Sequence, residues 1–217
     1  MPMCHQPGAW SRKSAVVQAI SIDRGVEPAG LQRGRPSLLA VGTIVWLGSE
    51  LMFFSGLFAS YFTIRAHNVG IWPPPSTPLG FKDTVQSGAF TWVLLMSSVT
   101  MQKAYWNEEH GLRRAARWWV ALSLAMGGAF LANQIVEWFS LGFTPHANAF
   151  ASLFFLMTGL HGLHVTIGLV AMAGLLGRMV GPGGDPGELP VFQSITFYWH
   201  FVDVVWIALY ACLFLLK

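Results

Sequence analysis

The chain has 217 residues, 53% of them hydrophobic and 11% charged, with a mean hydropathy of +0.50. A soluble domain carries about 25% charged residues, so this composition excludes a soluble enzyme or nucleic-acid binder and describes an integral membrane protein. The formal charge of +3 matters here through its distribution along the chain rather than its sum.

Residues 1–36 are polar, basic and punctuated by Gly and Pro. Their one apolar stretch, AVVQAISI at 15–22, is too short and too late for a signal peptide. They read as a flexible basic tail ahead of a membrane domain over residues 37–217. In that domain five runs free of Lys and Arg follow one another: Ser37–Ile64, Thr84–Gln102, Trp118–Leu141, Ala149–Gly177 and Ser194–Leu216. A hydrocarbon core of about 30 Å needs roughly 20 helical residues, so the fold expected is all-α, a bundle of five transmembrane helices. Ten of the 13 Lys and Arg lie in the tail, the second loop and the fourth loop. The positive-inside rule then places the N-terminus in the cytoplasm.

The first run contains WLGSELMFFSGLF at 46–58, with Glu50 in the middle. An ionised acid at the centre of a membrane helix costs on the order of 2.5–3.5 kcal/mol on insertion scales, so Glu50 must be compensated or neutral. Gly42, Ser49, Gly56 and Ser60 form a small-residue face suited to close helix approach. Glu50 lies off that seam, in phase with Trp46, Phe53, Phe54 and Leu57. The proline-rich loop NVGIWPPPSTPLG ends this helix and reads as an extended segment packed outside the membrane. The second loop, NEEHGLRRAARWW, brings charge and then a Trp pair to an interface.

Glu137, in QIVEWF near the outer end of the third run, is placed to snorkel. The short loop GFTPHANA makes the third and fourth helices antiparallel neighbours. The fourth run holds His161 and His164 in TGLHGLHVTIG and is followed at once by Arg178, whose fork suits a lipid phosphate or simply obeys the charge rule. The fifth holds His200 and Asp203 in YWHFVDVVW. Each pair has i, i+3 spacing and so shares a helix face. At about 1.5 Å per residue, Glu50 and His164 both lie roughly 20 Å from the cytoplasmic ends and Asp203 about 14 Å, so a mid-membrane polar cluster is geometrically possible. Two His could ligate an ion with an acid. Yet of seven histidines, His5, His67, His110 and His146 fall in the tail or loops, too few within the membrane for a di-iron oxygenase, and no metal site is expected. Histidines hydrogen-bonded between helices are the plainer reading. Cys4 and Cys212 lie too far apart in this topology to pair.

The motifs SELMFFSGLFASYF at 49–62, QIVEWF at 134–139, TGLHGLHVTIG at 158–168 and YWHFVDVVWIALY at 198–210 occur in one order along the chain. Together they resemble subunit III of the haem–copper cytochrome c oxidases, in its shorter bacterial form of five rather than seven helices. The resemblance implies an accessory subunit in the bacterial plasma membrane, without a catalytic centre or cofactor of its own. Haem a, haem a3 and copper belong to partner subunits I and II, which reduce O2 to water and pump protons in aerobic respiration. It further implies contact with subunit I, bound phospholipid and support of proton uptake and oxygen access. Membership of a respiratory supercomplex stays open. By motif match Glu50 corresponds to the intramembrane glutamate of the family and Arg178 to its lipid-phosphate arginine. His161, His164, His200, Asp203 and Glu137 correspond to internal polar positions. A quinol oxidase, an accessory protein of nitric oxide reductase, a membrane hydroxylase and an independent proton-coupled transporter stay open as alternatives.

Overall fold

A computed structural model describes residues 38–68, 72–77, 80–181 and 189–216; the tail, with Cys4, lies outside the described residues. The described chain holds five helices: α1, Leu38–His67; α2, Phe81–Glu109; α3, Arg113–Ser140; α4, Ala149–Val180; and α5, Leu189–Tyr210, which runs on into a π-helical turn, Ala211–Leu215. No strand occurs among the described residues. α1, α3, α4 and α5 with its π-helical end are long and apolar enough to cross a membrane. α2 is as long but more polar, carrying Lys82, Asp83, Gln86, Gln102, Lys103, Glu108 and Glu109.

The helix ends follow from local chemistry. Asp83 Oδ2 accepts from the Gly80 N–H at 2.8 Å, closing the first turn of α2. Asn148 Oδ1 accepts from Ala151 N–H at 2.8 Å and caps α4. α2 extends well past the apolar run 84–102, because exposed polar residues continue a helix as readily as apolar ones. The connection to α3 shrinks to residues 110–112, where Gly111 takes φ 75°. A side chain is strained at that angle, so glycine makes the tight turn. Arg113 Nε then meets Glu108 Oε1 at 3.1 Å across it.

α5 packs on α1, α2 and α4, and α2 lies along α3, which in turn lies along α4. The most apolar window of α5 is 56% buried within the chain and that of α1 only 17%, so α5 is the central helix and α1 a peripheral one. α1 is held by one stripe, Ala40, Leu47, Phe54 and Tyr61. Its small-residue face, expected to be a packing seam, instead points away from the bundle: Gly42, Ser49, Gly56 and Ser60 are exposed, and nothing approaches Gly42 or Gly56. The reason is steric complementarity of another kind, since the aromatic rings of the opposite stripe interdigitate with α4 and α5. Tyr61 Oη donates to Cys212 O at 2.7 Å, and Trp72 Nε1 donates to Tyr61 Oη at 3.1 Å. Trp72 also meets Phe150 edge-on, so this part of the proline-rich loop packs on the bundle itself.

Trp199 shows how tightly the centre is fitted. Its indole fills the space between two glycines: a Cβ on Gly127 would come within 2.7 Å of the ring, and one on Gly168 within 2.8 Å. Its Nε1–H donates to Ser97 Oγ at 2.9 Å.

Candidate functional site

Glu50 lies on α1 where that helix crosses α4 and α5. Trp46, one turn earlier, stacks on Tyr198 of α5 with centroids 5.5 Å apart and planes 5° from parallel. Tyr198 Oη donates to the backbone carbonyl of His164 on α4 at 2.9 Å. Phe54, one turn later, sets its ring edge-on to the His164 imidazole at 5.2 Å. These contacts bring Glu50 Oε2 to 3.2 Å from His164 Nε2.

The other ring nitrogen of His164 orients the imidazole. His164 Nδ1 lies 2.7 Å from Leu160 O, one turn back on α4. A carbonyl only accepts, so Nδ1 carries a hydrogen. The Nε2···Oε2 contact then needs one further proton, held either by the carboxyl or by the imidazole. A proton shared in that contact would compensate the acid that the sequence places in an apolar run. Beside it, Trp46, Tyr198, Thr43, Ile167 and Ser194 line a small apolar groove of about 170 Å³ at the same three-helix junction.

The other candidate residues are distributed through the bundle rather than gathered around Glu50. His161 is fully buried; its ring stacks on Trp206 at 4.8 Å and meets Phe130 edge-on. Neither ring nitrogen has a hydrogen-bond partner among the described residues. Glu137 does not snorkel: it is 7% exposed and accepts from Ser87 Oγ at 2.8 Å, because α2 covers this face of α3. His200 and Asp203 line a groove between α2 and α5, with His200 Nε2 3.2 Å from Gln102 Oε1. Arg178 is in the last turn of α4, about 21 Å along the axis from His164 at 1.5 Å per residue. Its cation there favours the negative end of the helix dipole. Among the described residues no three His, Cys, Asp or Glu side chains converge as a metal site would require.

Reading residue types in the sequence missed Ser87, Gln134, Thr91 and Ser97. Each joins helices: Gln134 Nε2 donates to Thr158 O at 3.1 Å, Trp206 Nε1 to Thr91 Oγ1 at 2.9 Å, and Trp199 to Ser97. The available signal was a hydroxyl or amide inside an apolar run, a usual source of bonds between membrane helices.

Comparison with known proteins places the sequence in a known family. Residues 24–216 fit the family model described as cytochrome c oxidase subunit III. A probable cytochrome c oxidase subunit 3 of Mycobacterium leprae (strain TN) is 44% identical over 186 residues, covering 84% of this chain and 90% of the relative. One of Nocardia farcinica (strain IFM 10152) is 42% identical with the same coverage. The cytochrome c oxidase subunit 3 of Thermostichus vulcanus is 34% identical over 200 residues, 91% of this chain and 94% of the relative. The chain therefore belongs to the cytochrome c oxidase subunit III family.

Proposed function

We propose that this chain is the accessory subunit III of an aa3-type cytochrome c oxidase, seated against subunit I in a bacterial plasma membrane. Haem and copper chemistry falls to subunits I and II, and this chain sustains proton uptake and oxygen access during turnover. All five helices cross the membrane, α2 included, with the N-terminus in the cytoplasm; the concentration of Lys and Arg in the tail, second loop and fourth loop supports that orientation. α2 can cross despite its polarity because Gln86 pairs with Asn133 at 2.8 Å, Ser87 with Glu137, and Thr100 with Ser123 at 2.6 Å, all on α3.

The observation that carries this reading is the match to subunit III over residues 24–216. The bonding of the polar side chains agrees with it, since several are engaged by one another across helix junctions, as in a scaffold. The uncharged Glu50–His164 pair at an apolar groove would let a nonpolar gas or a lipid chain pass without meeting a bare charge. Arg178, at the end of the same helix, would hold a phospholipid phosphate. The test is the oxidase purified with and without this chain under continuous turnover. The complete enzyme is expected to hold its rate over many more cycles than the depleted one. Equal lifetimes with equal initial rates would remove the supporting role.

A further inference from the structure

The outer surface between α2 and α5 opens into a groove of about 690 Å³. The Gln102–His200 contact crosses it near one end. Nearer the middle of both helices, Ser98 and Asp203 lie side by side. They are 7% and 4% exposed, yet Ser98 Oγ and both carboxyl oxygens of Asp203 lack a hydrogen bond of good geometry among the described residues. Even with Ser98 turned to donate, one hydroxyl would satisfy one of about four acceptor positions on a carboxylate. Such a group at membrane depth is costly unless something supplies a donor.

The walls show what fits. On α2 the exposed lining side chains Val99, Lys103 and Trp106 recur at steps of four and three. On α5, the lining residues His200, Val204 and Ile207 follow the same rule, with His200 half-buried. That spacing is the seam by which one helix receives another. A phospholipid suits the groove less well. Lys103 Nζ, the cation at its mouth, is drawn over the Trp119 ring at 4.4 Å. Ser98 lies about 7.5 Å further along α2 than Lys103 at 1.5 Å per residue, a depth where an acyl chain offers no hydrogen-bond donor.

We infer that this groove receives a transmembrane helix of a partner oxidase subunit, which presents a hydroxyl, amide or basic side chain to Asp203 and Ser98. The inference rests on the proposed role as an oxidase subunit and adds the surface and chemistry of the contact. Asp203 then acts as the polar key of an otherwise apolar helix interface and fixes its register.

The test uses the purified, haem-containing oxidase with benzoylphenylalanine in place of Val99 or Val204, which are 58% and 62% exposed in this chain, and of Phe139 on α3 as control. Irradiation is expected to join the first two positions to a transmembrane segment of another subunit that carries a hydrogen-bond donor. Adducts at both positions only with lipid, or only with a second copy of this chain, would overturn the inference while leaving the oxidase role intact. A chain that never accompanies haem-containing subunits would instead remove the role, and the inference with it. In the same preparation Asp203→Leu should leave the complex on the order of ten-fold faster in detergent, the upper end of what one hydrogen bond contributes. Asp203→Asn, which keeps an acceptor, should lie between that and wild type. Leucine dissociating at the wild-type rate would also overturn the proposal.

Discussion

Replacing Glu50 separates a hydrogen-bonded pair from an ion pair. Because His164 Nδ1 is committed to Leu160 O, its Nε2 faces Glu50 across 3.2 Å with its ring held by Phe54. Both side chains are largely withdrawn from the surface, at 10% and 24% exposure, so forming two ions here would cost several kcal/mol of desolvation for each. The proton is therefore expected on the carboxyl, donated to Nε2. Glutamine can donate from its amide in the same place, so Glu50→Gln should alter unfolding stability in mixed detergent micelles by less than about 1 kcal/mol. Glu50→Ala leaves a buried acceptor unpaired and should cost about 1–3 kcal/mol, toward the lower end because membrane helices find other partners. Infrared spectra should show a protonated-carboxyl band that disappears in Glu50→Gln. A glutamine variant as costly as the alanine variant, or no such band in the wild type, would refute the neutral pair.

Trp199 gives a packing test: Gly127→Ala and Gly168→Ala each drive a methyl to within 2.7–2.8 Å of the indole, at different ring atoms. Each should cost about 1–3 kcal/mol by overpacking, read by thermal unfolding; unchanged melting of both variants would contradict this. Tyr61→Phe removes two bonds, to Cys212 O and from Trp72 Nε1, and should lower stability by about 1.2 kcal/mol, twice the mean for a bond between membrane helices, as read by thermal unfolding. Ser87→Ala takes from Glu137 its 2.8 Å donor and should cost about 1–3 kcal/mol, more than Ser49→Ala, whose hydroxyl is exposed and bonds only its own helix. Equal losses would mean that Glu137 finds a donor elsewhere.

Much of this was legible in the sequence, for identifiable reasons. Five apolar runs forecast five helices, of which four are long and apolar enough to cross a membrane. What apolarity cannot see is a helix continuing past its apolar run in polar residues, which is why α2 extends to Phe81 and Glu109 at its two ends. Equal depth of Glu50 and His164 followed from counting residues. Their pairing did not, because no local signal says that α1 crosses α4. The exposed small-residue face of α1 illustrates the same limit: periodicity defines a stripe, but two stripes with the same seven-residue repeat competed. The bulky one, Ala40, Leu47, Phe54 and Tyr61, is buried in this chain. Glu137 was misplaced because proximity to a helix end says nothing of the neighbour that covers it. Trp199, by contrast, is intelligible only in three dimensions, since Gly127 and Gly168 come from different helices.

The central claim is that this chain is one part of a haem-containing oxidase. Its most direct test is to tag the C-terminus, solubilise host membranes gently, purify the chain and record the reduced-minus-oxidised optical spectrum of what accompanies it. The account predicts an a-type haem signal in stoichiometric proportion to this chain, carried by larger copurifying subunits. A colourless, homogeneous preparation of the chain alone, stable in detergent and able to move a solute in vesicles, would contradict it.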